Sequence, residues 1–226
     1  MSEMLIDKQG WDDYWTKKNP AGPVYAVIAE FYRKVIIRPT LNHFIRKHFA
    51  KGAKLLHAGC GSGQVDADIM REYSITGLDI SPHALEIFRR SHEGKSATLH
   101  ASIFETGLAE GSFDGIYNLG VMEHFSEEEI QRILTEFRRV LVPGGKAVLF
   151  WPPEYGASVL FFKGLRGTIK ALGGQDRKFH PDEVCRVKSK ANVSAMVAAA
   201  GFEVVDYSFG PRDAFTYSII VAQRPF

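Results

Sequence analysis

The sequence predicts an α/β protein built on an open parallel sheet, and three observations carry that expectation. In KLLHAGCGSGQ, residues 54–64, an apolar run breaks into Gly59, Gly61 and Gly63 on alternate positions, which reads as strand, tight glycine loop and helix. In SITGLDISPHALEIFRR a second short apolar strand ends at Asp79, Ser81 stands as helix N-cap and Pro82 occupies the first helical turn. Further on, Ser126 and Glu129 form a capping box. Ile130, Ile133, Leu134, Phe137, Val140 and Leu141 then recur on one helical face until Pro143-Gly144-Gly145 stops the run.

Taken in order, residues 1–52 form an aromatic-rich, helical N-terminal extension. Its segment VYAVIAEFYRKVIIRPTLNHFIRKHF reads as two helices bent at Arg38-Pro39, because proline disfavours helical backbone in the residue before it. Residues 53–226 form one domain whose strands are expected near 54–58, 75–80, 97–102, 113–118 and 146–151. Residues 153–188 interrupt the alternation as an insertion; ANVSAMVAAAG then reads as a helix with a terminal glycine, and FEVVDYSF and TYSIIVAQR as a closing pair of strands.

The glycine loop lets backbone approach a ligand with no Cβ in the way and aims helix N–H groups at an anionic or polar ligand group. The third glycine of the dinucleotide fingerprint would fall at Gln64, and its absence weakens an NAD oxidoreductase reading. Asp79, at the carboxyl end of a strand, lies on the rim where open parallel sheets bind ligands, and its carboxylate can accept both hydroxyls of a ribose. The competing role, a helix-capping acid, is already filled by Ser81.

Four blocks in order, LLHAGCGSG, ITGLDIS, HASIFETGLAEGSFDGIYNLGVMEHF and RRVLVPGGKAVLF, span residues 54–149. With them the chain resembles the class I S-adenosylmethionine-dependent methyltransferases, in particular the methyltransferase type 11 group. The resemblance implies a Rossmann-like, seven-stranded, mostly parallel sheet with the last strand antiparallel and helices on both faces. It implies S-adenosylmethionine as cofactor, S-adenosylhomocysteine as product, and a site across the carboxyl ends of the first four strands. The cofactor contacts it implies are His57, Gly59, Cys60, Gly61, Gly63, Gln64, Asp79, Ile80, Ser102, Ile103 and Asn118. The aromatic start, Trp11, Tyr14 and Trp15, is expected to fold over the cofactor, with Tyr14 in contact. Two departures bear on affinity rather than fold: His57 and Ser102 stand where the family usually has acids. Restoring an acid at His57 is expected to keep the fold and hold or tighten cofactor binding.

After the fourth strand, NLGVMEHF carries Glu123 and His124 into the loop above the sheet, the segment that the resemblance sets beside the transferred methyl group. Displacement at an activated methyl needs in-line alignment first, and a general base only where the acceptor must lose a proton. His124 is the candidate base, since imidazole titrates near neutral pH; alternatively, Glu123 and His124 orient the loop. An adjacent pair lacks the ligand count of a metal site, and no metal is expected.

Composition narrows the function classes. A net charge of +2 gives no broad basic field for bulk nucleic-acid attraction, and Cys60 and Cys185 are too few and too far apart for a disulfide scaffold or a C-x-x-C site. No apolar run reaches membrane-spanning length and MSEMLIDKQGWDDYW lacks a secretion pattern, so a soluble, cytoplasmic enzyme is expected. The leading reading is methyl transfer to a small-molecule or lipid-like acceptor. A nucleic-acid or protein methyltransferase comes second. Base-amino methylation needs D/N-P-P-Y/F at strand four, where this chain has Asn118-Leu119-Gly120-Val121; Pro152-Pro153-Glu154-Tyr155 follows strand five instead. A non-catalytic cofactor-binding scaffold is third. The insertion mixes Phe161, Phe162, Leu165 and Ile169 with Lys163, Arg166 and Lys170, and suits an acceptor lid, a peripheral membrane contact, a dimer patch or plain packing.

Overall fold

A computed structural model describes residues 10–12, 30–156 and 184–226. Its strands are β1 (Lys54–Ala58), β2 (Ser74–Asp79), β3 (Ala97–His100), β4 (Phe113–Leu119), β5 (Leu141–Trp151), β6 (Glu203–Ser208) and β7 (Ser218–Gln223). Its α-helices are α1 (Arg38–His48), α2 (Pro82–Ser91), α3 (Glu127–Val140) and α4 (Lys190–Ala199). The seven strands form one sheet in the order β3-β2-β1-β4-β5-β7-β6. β1 to β5 pair in parallel, and β7 runs antiparallel to both β5 and β6. The expected architecture is therefore the observed one.

Alternation along the strands sends successive side chains to two separate cores. Leu56, Ile116, Leu149 and Ile220 pack with Ile133 and Phe137 of α3 and Val193 and Val197 of α4. Leu55, Tyr117, Val148 and Ile219 face the other way, against Leu41, Phe44 and Ile45 of α1 and Leu85 and Phe88 of α2. The first of the two cores is set by the capped helix read from sequence: Ser126 Oγ accepts from Glu129 N and the Glu129 carboxylate accepts from Ser126 N at 2.8 Å.

Three local expectations change. The helix is continuous through Arg38-Pro39: Arg38 keeps helical backbone (φ −60°, ψ −48°), and a π-turn over Arg33–Ile37 precedes it. Pro39 has no N–H and its ring crowds the carbonyl one turn back, so widening that turn accommodates proline without ending the helix. No α-helix follows the glycine loop; two 3-10 turns, Gln64–Asp66 and Ile69–Arg71, take its place. The connection must run back along β1 in few residues, and a 3-10 turn rises about 2.0 Å per residue against about 1.5 Å for an α-helix. Leu141 belongs to β5 rather than to the helix face, and Pro143, Gly144 and Gly145 lie within that strand's first half. β3 ends at His100, which leaves Ser102 and Ile103 in the following loop. No helix among the described residues is long and apolar enough to cross a membrane.

Candidate active site

The chain leaves β1 for β2 and β3 on one side and returns to β4 and β5 on the other, so a crevice opens between the carboxyl ends of β1 and β4. Such a switch point is where open α/β sheets take ligands. The loop after β1 turns on left-handed backbone at Gly59 (φ 70°), Gly61 (φ 50°) and Gly63 (φ 62°). Two of these glycines also make room for neighbours. A Cβ at Gly59 would stand 2.7 Å from Val121, and one at Gly63 2.4 Å from Phe88.

The loop spends most of its N–H groups on the protein. Gly59 N and Cys60 N donate to Leu78 O at 2.8 and 3.0 Å, Gly63 N to Cys60 O at 3.0 Å, and Gly61 N to Asp79 Oδ2 at 2.9 Å. The expectation that loop and helix N–H groups stand free for an anionic ligand is thereby corrected: with a 3-10 turn after it, the loop is a self-satisfied shelf. Asp79, 7% exposed, also accepts from Ser81 N at 2.9 Å on Oδ1. Burial pushes its carboxyl up, and the N–H groups of Ser81 and Gly61 oppose that. Each carboxylate oxygen offers two acceptor positions, so one on each remains for a diol. Ser81 caps α2 as expected, accepting from Ala84 N at 3.1 Å, and donates to Asp12 at 2.6 Å. Burial pushes the Cys60 thiol far up, which makes it a packing group. Gln64 is exposed at the loop's end, and Ile80 is half-buried.

Beneath the shelf lies a cluster that the sequence did not reveal. His57 is buried, and its Nδ1 lies 2.8 Å from Oδ2 of the fully buried Asp66; His92 Nε2 is 3.6 Å from the same oxygen. Burial alone would raise the Asp66 carboxyl, but His57 and His92 outweigh it and hold Asp66 below the usual range. The Tyr117 ring stacks on His57 at 4.4 Å, and burial, then the Asp66 charge, pushes its phenol well up. A second carboxylate at position 57 would face the fully buried Asp66 in the core, and this geometry argues against the expectation that an acid there keeps the fold and holds or tightens binding. Asp66 and His92 carried no periodic or motif signal.

On the β2 and β3 side of the crevice, beside Asp79, Ala101 N donates to Asp79 O at 3.3 Å and draws the Ser102–Ile103 loop to the end of β2; Ser102 Oγ accepts from Phe104 N at 3.3 Å and Ile103 is buried. Asn118, 0% exposed near the end of β4, has no partner for either amide atom. A 3-10 turn, Met122–His124, follows and carries both predicted catalytic residues. Glu123 is 5% exposed, and His124 Nε2 stands 3.9 Å from its Oε1. Trp11 meets the His124 ring edge-on at 5.0 Å, which brings the aromatic start to this loop. Tyr14 lies outside the described residues, as do Trp15 and residues 157–183 of the insertion. The chain returns from the insertion onto this turn: Val184 N and Cys185 N donate to Glu123 O at 2.6 and 3.0 Å.

Tyr217 was missed as well. It precedes β7 at the carboxyl end of β5, and a Cβ on Gly120 would lie 3.2 Å from Glu123 Oε1 and 3.5 Å from the Tyr217 hydroxyl. Ala214 (φ 53°) and Phe215 (φ 57°) turn the backbone into it through left-handed conformations that cost energy for non-glycine residues, and Asp213 Oδ2 accepts from Tyr217 N at 2.6 Å.

With this geometry the family comparisons agree. Residues 56–149 match the family model described as a methyltransferase domain. A demethylmenaquinone methyltransferase of Thermus thermophilus is 30% identical over 168 residues, covering 67% of this chain and 74% of that protein. The chain belongs to the class I S-adenosylmethionine-dependent methyltransferases. An O-methyltransferase of Pyrenophora dematioidea is 33% identical over 116 residues, 48% of this chain; the match spans 43% of that relative's length. Among solved structures, the 1,6-didemethyltoxoflavin-N1-methyltransferase of Burkholderia thailandensis superposes with a TM-score of 0.63 at 16% identity, covering 93% of this chain and 94% of that one. The methyltransferase cofactor is S-adenosylmethionine, and the residues present fit it: Asp79 keeps acceptor capacity for a ribose at the rim, and the Asn118 amide is buried without a partner near the carboxyl end of β4. Among the described residues no group of three His, Cys, Asp or Glu side chains could hold a metal ion.

Proposed function

We propose that the chain transfers a methyl group from S-adenosylmethionine to a small-molecule acceptor in the crevice between β1 and β4. The observation that carries this reading is the orphaned amide of Asn118, since a buried amide without a partner costs about 1–3 kcal/mol and is retained where a ligand completes it. When bound, the cofactor supplies an activated methyl that needs alignment more than chemical assistance. Asp79 would accept from the ribose hydroxyls. Gly59, Gly61 and Gly63, with His57, Cys60 and Gln64 around them, would form the shelf for the methionine part. Ile80, Ser102 and Ile103 would border the adenine, and Tyr14 would close the site from the N-terminal segment.

On the acceptor side, Glu123 and His124 would face the crevice from one turn, a role supported by Trp11 against the imidazole and by Glu123 and the Tyr217 hydroxyl both lying close to Gly120. His124 would take the proton from an acceptor that must lose one. Relatives named as an O-methyltransferase and a demethylmenaquinone methyltransferase, and a fold neighbour solved with 1,6-didemethyltoxoflavin, support a small-molecule acceptor. Residues 1–52 as an extension and 153–188 as an insertion in a 53–226 domain, and a cytoplasmic site of action, belong to the same reading. Transfer of labelled methyl from S-adenosylmethionine to separate pools of small metabolites, lipids, RNA and protein tests it. Label in the small-molecule pool is expected; label in RNA or protein alone would overturn the acceptor class.

A further inference from the structure

The His57, Asp66 and His92 cluster sits where it controls the shape of the glycine loop. His57 is the second residue before Gly59, and Asp66 the third after Gly63, so their 2.8 Å contact closes a bridge across the base of the loop. Asp66 N donates to Gly63 O at 3.0 Å, which ties the carboxylate's own backbone to the last glycine. From the C-cap of α2, His92 packs against the same glycine: a Cβ there would come within 2.5 Å of the His92 ring. His92 is held in turn, with Nδ1 donating to Phe88 O at 2.8 Å and its ring stacked on Phe88 at 4.0 Å. The loop is therefore clamped twice, by Asp79 on the ligand side and by Asp66 underneath. Only the Asp79 clamp lies on the exposed rim; Asp66, 0% exposed, acts through other groups.

We propose that Asp66 is a positioning residue for the cofactor, fixing the Gly59–Gly63 shelf through its bridge to His57 and its contact with His92. This rests on the reading of the crevice as an S-adenosylmethionine site. The bridge restrains both ends of a loop that would otherwise sample many left-handed glycine conformations, and a loop ordered before binding loses less entropy when the ligand arrives.

Asp66→Asn keeps size and an acceptor oxygen but removes the charge that both imidazoles face. Calorimetry with S-adenosylhomocysteine should show the dissociation constant rising about tenfold, close to the lower end of the range for a lost charged hydrogen bond. Exchange of the Gly59–Gly63 amides should speed up in the same variant. His57→Gln, which retains a neutral donor to Asp66, should shift affinity in the same direction and keeps the test open should Asp66→Asn not fold. Phe137→Leu, in the opposite core, serves as a destabilised control and should leave the dissociation constant within about twofold. Unchanged affinity in a folded Asp66→Asn or His57→Gln protein, or an equal loss in the Phe137→Leu control, would overturn the positioning role alone. A folded wild-type protein that binds no S-adenosylhomocysteine would instead overturn the cofactor reading and this inference with it.

Discussion

Below the glycine loop, Asp66 faces two imidazoles in a fully buried cluster; above it, Asp79 faces two backbone N–H groups at the rim. Both carboxylates hold the same five-residue turn, yet their charges are answered differently. Asp66 is answered by side chains and is fully buried. Asp79 is hydrogen-bonded by backbone N–H groups, with His57 acting on it only through its field, and each of its oxygens keeps a spare acceptor position. A loop that must be rigid and also receptive is thus built from one carboxylate for each task. Damage below should appear as lost stability together with lost affinity, and damage above as lost affinity alone.

The largest break in that contrast is His57→Asp. It would set two carboxylates against each other in the core, and stranding a buried charge costs about 3–5 kcal/mol. Urea unfolding should show a loss of that size. A variant as stable as the parent would mean that the pair does not carry the charge assigned to it.

Acid titration sharpens the same comparison, with opposite signs for the two groups. The folded Asp66 carboxyl lies below its unfolded value because the imidazoles outweigh burial. It therefore contributes stability above about pH 3.9 and loses it as pH falls through the folded value. The folded Asp79 carboxyl is raised, chiefly by burial, so its contribution declines as pH rises from about 3.9 toward the folded value. Unfolding free energy measured from pH 3 to 6 should have a shallower acid limb in Asp66→Asn, while Asp79→Asn should lose the opposing decline.

Asn118→Leu should separate stability from activity. Replacing a partnerless buried amide by an apolar group of similar size should leave thermal stability equal or raise it by about 1 kcal/mol, while methyl transfer falls about tenfold or more. Lower stability with full activity would show that the amide serves the fold. The smallest effect is expected at Ser126→Ala, which removes the cap of α3 on the opposite face. It should cost about 1 kcal/mol of stability and leave cofactor affinity unchanged, a local reference for purely structural damage.

Legibility followed the range of the interactions. The short apolar strand runs, the Ser126/Glu129 box, the Ser81 cap and Asp79 at the end of β2 are written in short spans of sequence, and the structure has all of them. The bridge between His57 and Asp66 is not, because it depends on a 3-10 turn folding the chain back under β1, and nothing in VDADIM signals which acid turns inward. Tyr217 comes close to Gly120, just past the carboxyl end of β4, because β7 runs antiparallel to β5, so its place follows from topology rather than motif. Pro39 misled for a related reason: a π-turn absorbed what its local preference would have made a bend. Tyr14 and the core of the insertion lie outside the described residues.

The most direct measurement is a calorimetric titration of S-adenosylhomocysteine into the wild-type chain and into Asp79→Ala, each shown to be folded. One site per chain is expected in the wild type, with Asp79→Ala weaker by about 1.5–3 kcal/mol, the scale of hydrogen bonds to a charged acceptor. Equal affinity in the two proteins, or no binding by the folded wild type, would contradict the assignment of this crevice.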